Sequence, residues 1–309
     1  MPTPHQPDAR DARQTAAFSA ELKRRELMIR GGIGASGIAL LSAGGVALSG
    51  AATPARAAAI TDGDVFNFAL NLEYLEAEYY LRAVTGQGLS ASLVGATGGV
   101  SAPSNTLVPF TDQAIASYAL RIANDELAHV TFLREALGAA AVPEPAIDLV
   151  NSFTTLAVAA GLITAGQTFN PFESEVNFLL GAYIFEDVGV TAYAGAANVL
   201  TAPSSIAYAA SVLAVEGYHA GAIRGYLSTI GAGMATNAIS QLRSSLSGVY
   251  DFGTDTKGNP YSFNNVDSNG QVFRRTPQEV LSIVYGGGST SGLFYPNGMN
   301  GTITSTATA

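Results

Sequence analysis

The chain has 309 residues, no cysteine, 48% hydrophobic residues and only 13% charged residues. This composition can supply a large buried core, and it excludes disulfides, thiolate metal sites and cysteine nucleophiles. The formal charge is −9, and because residues 1–59 hold seven basic and four acidic residues, the remainder carries −12. An acidic body argues against a nucleic-acid partner, whose phosphates need a basic surface.

Residues 1–59 have the organisation of an export signal. The basic segment Lys23-Arg24-Arg25 precedes a small-residue apolar run, and Ala57 and Ala59 offer cleavage sites. An uncleaved anchor is the alternative, because the run approaches the roughly 20 residues that span a membrane. Its richness in Gly, Ala and Ser favours cleavage. We predict a twin-arginine-type signal peptide over 1–59, export to the periplasm or cell surface, and no stable membrane anchor afterwards.

The apolar periodicity of the mature chain predicts an all-α fold. Thr61 or Asp62 can cap the first helix. The connection 85–110 is predicted to be an ordered excursion or a lid, and the connection 139–172 a long crossover with a short helix. Four long helices are expected, over about Thr61–Val84, Thr111–Gly138, Pro171–Leu200 and Pro203–Ile230.

The C-terminal quarter differs in composition from these helices. Residues 234–247 are predicted to form a fifth helix. Residues 249–309 are rich in Gly, Asn, Ser, Thr and Asp, with one helical segment near Thr276–Tyr285 and a frayed tail after Gly301. We therefore divide the mature chain into a helical bundle over 60–233 and a C-terminal helix with an irregular appendage over 234–309.

Two Glu-x-x-His motifs, Glu126/His129 and Glu216/His219, contain every histidine beyond the leader. Residues three apart share a helix face, with Cβ atoms roughly 5–6 Å apart, so each pair can hold one metal ion. A single such motif is weak, because solvated helix faces produce it often. Two copies that use all the histidines of the mature chain favour metal binding.

An internal repeat supplies two further carboxylates. Aligning Glu73 with Glu186 also aligns Tyr80 with Tyr193, and aligning the two Glu-x-x-His motifs also aligns Arg134 with Arg224. The resulting order is Glu, Glu-x-x-His, Glu, Glu-x-x-His. Two duplicated helical hairpins with this order build a carboxylate-bridged dinuclear site in a four-helix bundle.

Three neighbouring carboxylates allow more than one interpretation. Glu76 could replace Glu73 as a ligand or act as a third carboxylate, but it aligns with Gly189, so the repeat favours Glu73. Glu78 is expected to be solvated. Asp187 could support the site or lie on the surface.

Asp125 and the aligned tyrosines also have two interpretations. Asp125 lies four residues from both Arg121 and His129. A salt bridge on a partly exposed helix face is favoured, and orientation of a histidine ligand is the alternative. Tyr80 and Tyr193 are either core aromatics or donors of hydrogen bonds to the site.

The order Glu, Glu-x-x-His, Glu, Glu-x-x-His resembles the ferritin-like superfamily of di-iron and di-manganese carboxylate proteins. Within it, Asn67–Tyr80, Phe273–Leu281 and Gly292–Gly301 resemble the exported bacterial branch, which is related to plant desiccation-related proteins. The resemblance covers roughly residues 61–301. It implies a ferritin-like bundle of two duplicated hairpins joined by a long crossover between the second and third helices.

The resemblance also implies a ligand set and a class of chemistry. Two iron or manganese ions would be held by terminal and bridging carboxylates and one imidazole each, and would act on peroxide or dioxygen in stress protection. A non-enzymatic stress or metal-sequestering protein with a structural site is the alternative. The sequence leaves the oligomeric state open and is compatible with a homo-oligomer. The implied ligands are terminal Glu73 and Glu186, bridging Glu126 and Glu216, and His129 and His219.

Overall fold

The computed structural model describes residues 59–255 and 262–307, so the predicted export signal lies outside the described residues. In this part of the chain, no helix is both long and apolar enough to cross a membrane. Two short parallel strands, β1 (Val100–Ser101) and β2 (Ile147–Asp148), pair with each other. The helices are α1 (Asp62–Thr85), α2 (Ala91–Val94), α3 (Gln113–Leu137), α4 (Asn151–Ala159), α5 (Glu175–Ala196), α6 (Pro203–Thr229), α7 (Gly233–Ser247) and α8 (Pro277–Val284).

Helices α1, α3, α5 and α6 form the predicted bundle, with α1 packed along α3 and α5 along α6. The predicted all-α four-helix bundle is thereby confirmed. Thr61 caps α1 as predicted, in a capping box with Asp64. Helix α5 begins at Glu175 rather than near Pro171, because the hydroxyl of Ser174 accepts a hydrogen bond from the Asn177 amide at 3.2 Å and so starts the helix there.

The duplication seen in the sequence is also visible in equivalent contacts of the two hairpins. In the first hairpin, Arg134 of α3 donates to the hydroxyl of Tyr74 on α1. In the second, Arg224 of α6 donates to Asp187 of α5 at 2.8 Å. Tyr74 and Asp187 follow the aligned residues Glu73 and Glu186. The aligned arginines therefore donate hydrogen bonds to equivalent positions of the first helix in each hairpin.

The connection that follows α1 is an ordered excursion, and it overturns the prediction for Glu78. This carboxylate is 2% exposed and accepts hydrogen bonds from Arg82 Nε and the Leu89 amide, both at 2.7 Å. The chain passes so close that a Cβ on Gly88 would lie 2.1 Å from Glu78 Oε2. Glu78 is therefore a buried anchor of this loop. Its contacts depend on the path of the loop, which helical periodicity does not specify.

The C-terminal region contains the two predicted helical segments, α7 and α8, and covers the sides of α1 and α5. Its end is packed, which corrects the predicted frayed tail after Gly301. Thr302 Oγ1 donates to Asp64 Oδ1 at 2.6 Å, and Ile303 is buried. Asn71 of α1 holds the preceding turn by exchanging two hydrogen bonds of 2.9 Å with the backbone of Asn300.

A buried ionic network fastens this appendage to α5. Arg243 of α7 contacts both Asp187 and Asp251 at 2.8 Å, and Arg275 contacts Asp251 at 3.0 Å. Burial alone would raise the pKa of Asp187, but Arg224 and Arg243 outweigh it and hold that pKa below its usual value. Removing one partner from such a network typically costs about 3–5 kcal/mol, because a buried charge is left uncompensated. The network thus fixes the helix that carries Glu186.

Candidate metal centre

The six side chains proposed as ligands lie together in the middle of the bundle, although they come from four helices. Each helix contributes the face that the repeat predicts. All six residues are buried, and the four glutamates are 0% exposed. The set is Glu73 from α1, Glu126 and His129 from α3, Glu186 from α5, and Glu216 and His219 from α6.

Their donor atoms form two overlapping groups, each compact enough for a metal ion. In each group one donor atom per residue lies within 4.8 Å of all the others. One group contains Glu73 and His129, and the other contains Glu186 and His219. Glu126 and Glu216 belong to both. This sharing is the arrangement expected of two neighbouring metal positions joined by bridging carboxylates.

Several donor atoms converge without satisfying one another. His219 Nδ1 lies 3.1 Å from Glu126 Oε1 and 3.3 Å from Glu186 Oε2. Among the described residues, none of these three atoms, nor either oxygen of Glu216, has a hydrogen-bond partner. Buried polar atoms are rarely left this way. Oxygen and imidazole donors aimed at a common space fit hard or borderline divalent cations, so the residues present suit a metal pair.

The shifted pKa values of the cluster also fit a metal site. Burial raises the pKa of Glu73 to about 7, and burial next to other carboxylates raises the pKa of Glu216 well above its usual value. Burial would also raise the pKa of Glu126, but the two imidazoles outweigh it and lower that pKa. The neighbouring carboxylates raise the pKa of His129 despite its burial. Without metal, protons therefore balance the buried charge, and a metal ion would displace them.

Two phenols tie the hairpins together across the centre. Tyr80 of α1 donates to Glu186 Oε1 of α5 at 2.5 Å, and Tyr193 of α5 donates to Glu73 Oε1 of α1. Each tyrosine thus fixes one carboxylate oxygen of the opposite half and leaves the other oxygen for the cluster. Of the two interpretations, the hydrogen-bonding one describes the contacts that these tyrosines make.

Asp125 makes both kinds of contact that the sequence suggested, but with a different histidine. It pairs with Arg121 on the helix surface, at 2.6 Å, and its Oδ2 lies 3.3 Å from Nε2 of His219 on α6. His219 presents its other nitrogen to the cluster, so Asp125 sets the ring's orientation and tautomer. The aligned residue in the second motif is Val215, which cannot serve His129 in this way.

Glu76 also enters the site. It is 5% exposed. Burial and the charges of Glu126 and Glu186 raise its pKa well above the usual value. At the aligned position 189, a Cβ would lie 2.2 Å from Glu216 Oε2 and 3.5 Å from Glu76 Oε1. Glycine at this position therefore leaves room for the carboxylate of Glu216.

Comparison with known proteins places this architecture in a family. The model of the ferritin-like domain matches residues 61–229, which include all four bundle helices and all six proposed ligands. The chain belongs to the ferritin-like domain family. No solved structure gives a significant match.

Two curated proteins are similar to this ferritin-like chain over most of their lengths. One is the ferritin-like catalase Nec2 of Nesocodon mauritianus, 32% identical over 271 residues that cover 78% of this chain and 84% of the relative. The other is the desiccation-related protein PCC13-62 of Craterostigma plantagineum. It is 31% identical over 245 residues, which cover 72% of this chain and 76% of the relative.

The contact between Asp125 and His219 generates a test of metal binding. We expect Asp125→Ala to weaken binding of one metal ion about 10- to 100-fold, because the imidazole loses its orienting carboxylate. Competition titrations of manganese(II) against a chelator measure this change.

The matched control is Arg121→Ala, which removes the exposed partner of Asp125 and leaves the contact with His219. It should bind metal as the wild type does. Equal effects of both substitutions, or no effect of either, would contradict an orienting role for Asp125.

Proposed function

We propose that the chain holds two iron or manganese ions and catalyses a redox reaction of hydrogen peroxide in stress protection. Glu73 and Glu186 would be the terminal carboxylates, and Glu126 and Glu216 the bridging ones. His129 and His219 would each bind one ion. The observation that carries the proposal is the pair of donor groups that share Glu126 and Glu216.

The reaction that we favour is disproportionation of peroxide. One peroxide is oxidised to dioxygen and gives up two electrons and two protons, and a second takes them up to form two waters. A bound pair of iron or manganese ions would supply the electron storage between these halves, because both metals can change oxidation state. A relative named as a ferritin-like catalase supports this choice within the family.

The protein's own groups contribute orientation and proton positions. Tyr80 and Tyr193 donate to the outer oxygens of Glu186 and Glu73, which holds each carboxylate in one rotamer. Asp125 holds the proton on Nε2 of His219, so Nδ1 keeps its lone pair for the metal. Helices and the appendage exclude bulk water, which strengthens these interactions.

Peroxide turnover by the metal-loaded protein tests the proposal. Glu126→Gln should reduce evolution of dioxygen by at least about 100-fold, because it removes a carboxylate shared by both metal positions. Its circular dichroism spectrum should remain helical, since the substitution removes a buried charge rather than packing.

Glu135→Gln is the matched control on the same helix, because Glu135 is exposed. It should retain wild-type turnover. A metal-loaded wild-type protein that binds two ions and evolves no dioxygen from peroxide would contradict the proposal.

A second candidate is a non-enzymatic metal-sequestering protein, which similarity to a desiccation-related protein favours. In that case the metal would act as a structural brace. Glu126→Gln would then lower the thermal unfolding midpoint of metal-treated protein towards that of metal-free protein, and wild type would show no turnover. Peroxide turnover by the wild type, together with the unfolding midpoint of Glu126→Gln, therefore separates the two candidate functions.

We also propose that the protein reaches the periplasm or the cell surface by the twin-arginine route. The proposal rests on the sequence of residues 1–59, with Lys23-Arg24-Arg25 ahead of an apolar run and Ala-x-Ala sites near its end. N-terminal sequencing of protein from its native host tests it. A mature chain that starts near residue 58 or 60 supports cleavage, and one that retains the apolar run contradicts it.

A further inference from the structure

The appendage and the bundle enclose a small cavity beside the metal cluster, which we call the inner cavity. The centre of a water-sized molecule can occupy about 20 Å³ within it, so the cavity has room for one such molecule. Its only ionisable side chain is that of Glu76. The lining also includes Gly189, and otherwise consists of apolar residues: Leu72, Leu75, Ile184, Phe185, Val188, Ile283, Val284 and Phe294.

The inner cavity is connected to the cluster through Glu76, which lines it. The space where a Cβ of residue 189 would stand lies 2.2 Å from Glu216 Oε2 and 3.5 Å from Glu76 Oε1. Glu216 Oε2 therefore occupies the space that a side chain at position 189 would need, next to Glu76, and Glu76 is the carboxylate that a molecule in the cavity would face. The remaining walls come from α1, α5, α8 and the segment around Phe294.

A second cavity, the outer cavity, continues from the inner one towards the surface. It also offers about 20 Å³ and shares Ile184 and Ile283 with the inner cavity as lining residues. Its far side is formed by partly exposed residues, among them Ala160, Leu162 and Phe169. Because Ile184 and Ile283 line both cavities, their side chains form the wall that a molecule passing between the two spaces would cross.

The residues that line the two cavities determine which kind of molecule they can hold. A buried water needs two to four polar partners, and the inner cavity offers the carboxylate of Glu76 alone. Arg243 reaches the outer cavity, but its donors are engaged by Asp187, Asp251 and the carbonyl of Tyr183. Both spaces are therefore suited to a small apolar molecule rather than to water or an ion.

We propose that the inner and outer cavities form a dioxygen path between the Glu76 side of the metal cluster and the surface. The inference rests on the proposed function, in which dioxygen is the product of peroxide disproportionation. The path gives the C-terminal appendage a role: Ile283 of α8 forms part of the wall between the cavities. Peroxide, which needs hydrogen-bond partners, gains little from these walls.

Relaxation of methyl protons under dioxygen pressure tests the path on metal-free protein, with nitrogen pressure as the blank. In the wild type, methyl groups at both cavities should show larger paramagnetic enhancement than the buried methyls of Leu133 on α3. Ile283→Phe should fill the junction between the cavities. Enhancement should then persist at the outer residues Leu156 and Leu242 and fall at least threefold at the inner residues Leu75 and Val188.

Val199→Phe is the matched control, because Val199 lines a different apolar cavity, on the side of α1 near Tyr193. It should leave the inner enhancement unchanged, and Ile283→Ala should increase it. The proposal is overturned by a wild type without inner enhancement, or by a larger loss in Val199→Phe than in Ile283→Phe. Because the measurement uses no metal, its failure is distinct from failure of the peroxide assay.

Discussion

The centre of this bundle contains five buried carboxylates and two imidazoles, and the rest of the structure depends on how their charge is balanced. Ionised carboxylates in a low-dielectric interior are unstable unless a cation or a proton accompanies them. Four of these glutamates have raised pKa values, so protons perform this role in the metal-free protein. Two divalent ions would match the four charges of Glu73, Glu126, Glu186 and Glu216. The same cluster is thus costly without metal and stable with it.

Duplication explains most of the centre's geometry, and its departures from symmetry explain the remainder. The reciprocal hydrogen bonds of Tyr80 and Tyr193 preserve the two-fold relation. Two positions break it: Glu76 is matched by Gly189, and Asp125 by Val215. The first difference leaves room for the carboxylate of Glu216, and the second gives His219 a carboxylate that His129 lacks. The surroundings of the two proposed metal positions are therefore chemically different.

Helical periodicity and the internal repeat were sufficient to predict the bundle and to choose six residues that the fold brings together. Helical periodicity is a local signal, and the repeat is found by comparing two copies of one motif. Neither requires knowledge of how the helices pack. Contacts between segments that are distant in the chain produce no comparable pattern in the sequence, so they were not predicted. Glu78 looks solvated on a helix, yet a loop closes over it. Arg243 donates hydrogen bonds both to Asp187, more than fifty residues before it, and to Asp251. The contact of Asp125 with His219 likewise required the relative position of α3 and α6.

The appendage also supports the centre, because its arginine network and its tail pack against the helices that carry the proposed ligands. Diffraction from crystals of the manganese- or iron-loaded protein, recorded on both sides of the metal's absorption edge, tests the central claim most directly. Two anomalous peaks about 3.5–4 Å apart are expected, one beside His129 and one beside His219, with Glu126 and Glu216 contacting both. A single peak, or peaks outside the six residues, would contradict it.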